Sequence, residues 1–175
     1  DAGWRRAAAS SLACASTCSL IRLKMSQLPP STDPFLAFGI VAAPLATARR
    51  DQIRATMAKY PTVAAGRTVL RFLLGSETPT LASAPRLTLH TALKLESNAH
   101  GDVLVLDAID GARLDNACSC TEKTVAWVRH ALRTWPSVAF IAKSEDDTYV
   151  QLQALDYELR THLLHQPRVI YGYHT

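Results

Sequence analysis

The sequence predicts an α/β fold: a mostly parallel sheet flanked by helices. Strand-like and helix-like patterns alternate along the chain after residue 34, and strand–helix–strand units close as parallel pairs. The strand segments are continuous apolar runs, such as VLVLD at Val103–Asp107 and VAFIA at Val138–Ala142, as expected of strands covered on both faces. The composition is that of a globular chain: 175 residues, 48% hydrophobic and 19% charged, long enough to bury a core without disulfide staples. The same figures exclude a disordered chain. No apolar run approaches the roughly 18 to 20 residues that a membrane-spanning helix needs.

Residues 1–33 are expected to be a disordered or targeting-like tail ending in a Pro-rich linker, Gln27–Pro34. Within it, residues 7–21 are mildly apolar between Arg5-Arg6 and Arg22/Lys24, which fits either a leader remnant or a disordered extension. Phe35–Ala42 is an apolar strand stopped before Pro44. Thr47–Tyr60 carries Ile53, Met57 and Tyr60 at helical spacing, with Arg49, Arg50, Asp51 and Arg54 elsewhere on the wheel. Arg67–Leu74 is a strand ended by Gly75, and Ser76–Arg86, with Pro79 and Pro85, is a loop. Leu87–Ala99 is a helix and Val103–Asp107 a strand. Thr121–Trp135 is a helix with Val125, Val128, Leu132 and Trp135 on one stripe; Trp127 and Trp135 are assigned to the core. Val138–Ala142 is a strand, Gln151–His165 a helix carrying Leu152, Leu155, Leu159 and Leu163, and Arg168–Tyr171 the start of another strand.

The net charge is +4, shared equally between residues 1–33 (four basic, two acidic) and the remainder (fifteen basic, thirteen acidic). No basic stripe with interleaved aromatics is present, so nucleic acid is not an expected partner. The cysteines fall as Cys14/Cys18 and Cys118/Cys120, neither with C-x-x-C spacing, and leave disulfide status and redox compartment open. His162 and His165, at i and i+3, are either a metal pair or a solvated helix face.

Ligands of open α/β sheets bind beyond the carboxyl ends of the strands. There, after Val138–Ala142, comes Lys143-Ser144-Glu145-Asp146-Asp147-Thr148-Tyr149-Val150. Three consecutive carboxylates repel one another unless they are solvated or neutralised by a cation. Alternate positions on an extended segment share a side, so Glu145 and Asp147 suit a divalent ion that completes its shell with phosphate oxygens. Alternatively, the acids complement the dipole of the helix starting at Gln151. The chain has neither a G-x-x-x-x-G-K-[ST] loop nor a G-x-G-x-x-G turn. A bound nucleotide would therefore be held through a metal, which points to nucleotide-sugar chemistry more than to ATP hydrolysis or hydride transfer.

The run Ala139–Val150 resembles the acidic K-T-[DE]-D-D-x-[FY]-V segment of glycosyltransferase family 31, the β-1,3-galactosyltransferase-like family. Other matches follow in order. Arg50-x-x-Ile53-Arg54-x-Thr56 resembles R-x-x-I-R-x-T-W, and Arg71–Gly75 resembles V-x-F-[LV]-[LI]-G. Glu96-x-x-x-His100-Gly101-Asp102-Val103 resembles E-x-x-x-Y-G-D-[IL]. Asp107-x-x-Asp110 with Lys123-Thr124 resembles D-F-x-D-x-Y-x-N-L-T-x-K-T, and Tyr171-Gly172 resembles the Y-x-G region. The resemblance covers about residues 35–175. The chain departs at Met57 for the tryptophan, His100 for the tyrosine and Asn116–Cys120 for the N-L-T stretch, which leaves donor specificity open.

The resemblance implies a GT-A, Rossmann-like domain whose donor-binding part is residues 34–175. It implies a metal-dependent inverting hexosyltransferase that moves galactose or an N-acetylhexosamine from a UDP-sugar to a glycan or glycoprotein hydroxyl. Asp147 and Glu145 would ligate Mn²⁺ or Mg²⁺, with Glu145 and Asp146 supporting ribose and metal. Arg50 and Arg54 would reach uridine or phosphate, or else form a solvated helix face. Lys123 would contact the nucleotide or pair with an acid. The general base is expected beyond Thr175. The family implies the lumenal side of the Golgi membrane, through an anchor not visible here. The chain begins at Asp1 rather than Met and ends in strand-like residues, so a fragment truncated at its C-terminus, with an exposed apolar edge there, is expected. The rival readings are a non-catalytic UDP- or metal-binding remnant and a different α/β enzyme of phosphoryl transfer.

Overall fold

The computed structural model describes residues 19–21, 32–77, 86–110, 119–166 and 169–172. In chain order these form β1 (Ser19–Ile21), β2 (Leu36–Val41), α1 (Thr47–Ala55), a 3₁₀ turn (Met57–Lys59), α2 (Pro61–Ala64) and β3 (Thr68–Glu77). Then follow α3 (Arg86–His100), β4 (Val103–Ile109), α4 (Ser119–Thr134), β5 (Phe140–Glu145), α5 (Leu152–Glu158) with a π turn (Leu159–Leu163), and β6 (Ile170–Gly172).

The strands form one sheet in the order β4-β3-β2-β5-β1-β6. The first four are mutually parallel, and β1 runs antiparallel to both β5 and β6. This is the expected α/β architecture. From β2 the chain steps outward to β3 and β4; the next strand, β5, lies on the other side of β2. The connections therefore diverge between β2 and β5, and the crevice at the carboxyl ends of those two strands is where such sheets bind ligands.

Strand alternation divides the core into two layers. Leu36, Phe38 and Ile40 of β2 join Phe72, Phe140, Ala142, Ile53, Met57, Leu152 and Leu159 on the α1 and α5 side. Ala37 and Val41 join Leu73, Leu106, Ile141, Trp127 and Ala131 on the α4 side. Gly39 makes the second layer possible, because a Cβ there would stand 2.7 Å from both Leu73 Cδ1 and Trp127 Nε1. Without it the indole lies against β2 and donates to the Ala142 carbonyl at 2.9 Å. Trp127 is thus core, as expected, and Trp135 meets its ring edge-on at a centroid distance of 6.2 Å.

Element boundaries differ from the sequence reading for identifiable reasons. The helix expected over 47–60 ends at Ala55: the Thr56 hydroxyl donates to the Gln52 carbonyl at 2.8 Å, and the chain narrows into the 3₁₀ turn ahead of Pro61. The helix expected over 151–165 widens into a π turn after Glu158. The strand expected to stop at Ala142 runs on to Glu145, so the first carboxylate of the acidic run belongs to the sheet. Within the expected tail, Ser19–Ile21 form a strand. Residues 1–18 and 22–31 with Cys14, Cys18 and most of the linker, residues 78–85 of the expected loop, and residues 111–118 with Cys118 lie outside the described residues. Ile170 and Tyr171 on edge strand β6 are 71% and 43% exposed. Among the described residues no helix is long and apolar enough to cross a membrane.

Candidate functional site

The acidic run turns at the mouth of the crevice. The Asp146 amide donates to the Val41 carbonyl at 3.1 Å, extending the β2–β5 pairing by one step and fixing the turn beside the end of β2. Ser144 points into the buried α1 side, while Lys143 and Glu145 share the α4 side. Lys143 donates to Glu145 Oε1, and the Cys120 thiol lies 4.0 Å from Glu145 Oε2. Glu145 therefore sits beside the first turn of α4, whose dipole favours a carboxylate.

Asp146 is held from the opposite wall. Arg49 Nη1 of α1 donates to its Oδ1 at 2.9 Å. Asp147 is exposed, and the Thr148 hydroxyl donates to its Oδ1 at a long 3.4 Å. None of the three acids caps α5: the cap is Gln151, whose Oε1 accepts from the Ala154 amide at 2.8 Å.

A buried ion pair forms the floor. Lys123 of α4 donates to Asp110 Oδ1 and, at 3.1 Å, to the Ala42 carbonyl at the end of β2. Asp110 also accepts from the Gly75 amide, an approach that requires glycine, since a Cβ at residue 75 would lie 2.5 Å from the Ala108 carbonyl oxygen. Of the two roles open to Lys123, the structure shows pairing with an acid. Burial pushes the ammonium down to about 8, while Glu145 and Asp146 pull it the other way.

Arg50 and Arg54 do not form the solvated helix face that was one of their two expected settings. Arg50 is 0% exposed and joins Glu96 of α3 to the backbone that follows β2. It donates to Glu96 through two nitrogens, both at 2.7 Å, to the Ala43 and Pro44 carbonyls at 2.7 and 3.2 Å, and to Thr47 Oγ1 at 3.0 Å. Arg54 forks onto Asp102 at 2.8 and 2.7 Å, reaches Glu96 at 2.8 Å and covers the Phe72 ring at 4.9 Å. These arginines fasten α1 to α3 and to the entry of β4, and the groups they hold in this structure are carboxylates, carbonyls and a hydroxyl of the protein itself. Hydrogen bonds from Arg50, then Arg54, hold the Glu96 carboxyl down to about 2, against the opposing effect of burial.

The sequence-predicted Glu145, Asp146, Asp147 and Lys123 come together at the crevice. Arg49, Asp110, Glu96 and Asp102 were not singled out as site residues, although the last three lie inside the quoted motifs. His162 is 62% exposed on its side chain, lies 3.9 Å from Glu158 and belongs to a solvated face. Among the described residues no three His, Cys, Asp or Glu side chains converge as a metal cage. The acid turn offers only oxygen donors, and one or two carboxylates suffice for an ion that shares its shell with phosphates and water. Asp147 fits that use as it stands, whereas Glu145 would have to loosen its bond to Lys143.

Residues 48–175 match the galactosyltransferase family. The chain is similar to beta-1,3-galactosyltransferase 5 of Pan paniscus, 30% identical over 124 residues that make up 71% of this chain and 37% of that protein. It is similar also to beta-1,3-galactosyltransferase 6 of Mus musculus, 30% identical over 132 residues, 75% of this chain and 37% of that protein. The aligned part is thus just over a third of the length of these relatives. Because the family match takes in every element from the first turn of α1 to β6, the chain belongs to the galactosyltransferase family.

Proposed function

We propose that this chain is the donor-binding part of a metal-dependent, inverting hexosyltransferase. The donor class is a UDP-sugar of the galactose or N-acetylhexosamine type, and the acceptor a hydroxyl of a glycan or glycoprotein. The observation that carries this reading is the placement of Asp147. It is exposed at the β2–β5 crevice, beside two carboxylates that each already hold a cation of the protein. Asp147, with Glu145 in support, would hold Mn²⁺ or Mg²⁺, which when bound neutralises the departing diphosphate as a Lewis acid. Asp146 would support ribose and metal, and the Lys123–Asp110 pair shapes the crevice floor. The general base that deprotonates the acceptor belongs, in this reading, to a part of the protein beyond these residues. The setting that the family resemblance supports is the Golgi lumen.

Titrating UDP into the chain with and without Mn²⁺ tests the donor site. Binding that requires Mn²⁺ and is lost in Asp147→Ala, with the melting temperature unchanged, is the expected outcome. Failure of the parent chain to bind UDP at any Mn²⁺ concentration overturns the reading. In a UDP-sugar turnover assay the 175-residue chain is expected to show little or no transfer.

A further inference from the structure

α1 presents three arginines, and they have separate uses. Arg50 and Arg54 are bound to Glu96 and Asp102, while Arg49 reaches across to the acid turn. Its side chain is 59% exposed, against 11% for the Asp146 carboxylate it touches at 2.9 Å. Because α1 follows β2 and the acid turn follows β5, this ion pair bridges the two walls of the crevice where a ligand enters. The other cations nearby are enclosed: the side chain of Lys123 is 3% exposed against Asp110 and that of Lys143 12% exposed against Glu145.

We propose that Arg49 exchanges partners when the donor binds, leaving Asp146 for the diphosphate. This inference rests on the donor-site reading above and adds to it the residue that meets the phosphates from the α1 wall. An exposed ion pair is weak and screened by solvent, so little opposes its opening. A diphosphate offers a guanidinium more charge and the planar oxygen pairs that suit its fork. Until then Arg49 neutralises one of three adjacent carboxylates and so competes with a divalent ion for the turn. Removing Arg49 therefore has opposite effects on the two ligands: the metal alone gains, and the diphosphate loses.

The test compares the wild-type chain with Arg49→Ala and Arg49→Lys at low ionic strength. Mn²⁺ binding alone is followed by electron paramagnetic resonance of the free ion, and UDP binding at saturating Mn²⁺ by calorimetry. In Arg49→Ala, Mn²⁺ alone is expected to bind roughly threefold tighter and UDP about five- to tenfold weaker. Arg49→Lys, keeping charge without the fork, falls between for UDP. Both constants unchanged in Arg49→Ala, or both weakened together, overturns the exchange while leaving the donor site standing. Wild-type protein that binds neither Mn²⁺ nor UDP overturns the donor-site reading, and the exchange with it.

Discussion

Replacing Arg50 by methionine keeps much of the apolar stem and deletes the guanidinium. That group makes five hydrogen bonds at 2.7 to 3.2 Å, and at 0% exposure no bulk water can replace them. Breaking one side of a buried ion pair costs about 3–5 kcal/mol, because the remaining partner stays buried and uncompensated. Glu96 retains Arg54 at 2.8 Å and some solvent contact, which sets the expectation near the lower end, ~3 kcal/mol. With a urea dependence of about 2 kcal/mol per molar, the unfolding midpoint falls by roughly 1.5 M. Urea unfolding followed by tryptophan fluorescence measures this directly, since Trp127 is fully buried. Arg50→Lys, which keeps the charge and loses the fork, is expected to lie between. The reasoning is refuted if Arg50→Met unfolds at the wild-type midpoint yet no longer binds UDP, for Arg50 would then be a ligand residue and not a fastener of α1 to α3.

Other perturbations follow from the same geometry. Glu96 is held at about 2 against its ordinary 4.5, so its contribution is fully present above pH 4.5 and is lost as pH falls toward 2. After allowance for solvent screening it amounts to about 1–2 kcal/mol, and acid-unfolding profiles should show this dependence flattened in Glu96→Gln. Gly39→Ala forces Trp127 off β2 and breaks its bond to the Ala142 carbonyl, a cost of about 2–4 kcal/mol from overpacking and an unpaired buried donor; a melting temperature at the wild-type value would contradict it. Lys123→Met strands Asp110 without its cation and should destabilise by about 3–5 kcal/mol. Adding Asp110→Asn should restore part of that loss, and a double-mutant cycle measures the coupling.

The two-layer core was readable because strands buried on both faces need uninterrupted apolar runs, as at Leu36–Val41 and Phe140–Ala142. The acid turn was readable because a triple carboxylate is uncommon at a strand end, and the ordered motifs around it identified the family. Boundaries such as the break at Thr56 were less accessible, since a threonine hydroxyl competing for its own helix carbonyls leaves no periodic trace.

The amino-acid sequence by itself determined the α/β class, the order of strands and longer helices from β2 onward without the short α2, and the acidic residues at the end of β5. These depend on local pattern, on which side chains recur at which spacing. Only the tertiary structure decided the division of labour among Arg49, Arg50 and Arg54. Arg49 and Arg50 are neighbours in sequence, yet successive helical side chains point about 100° apart, so one meets Glu96 of α3 and the other Asp146 across the crevice. Their partners lie 46 and 97 residues away, and the second is brought near because β5 pairs with β2 instead of with β4. Ion pairing over such distances is set by strand order, and strand order is a property of the packed sheet.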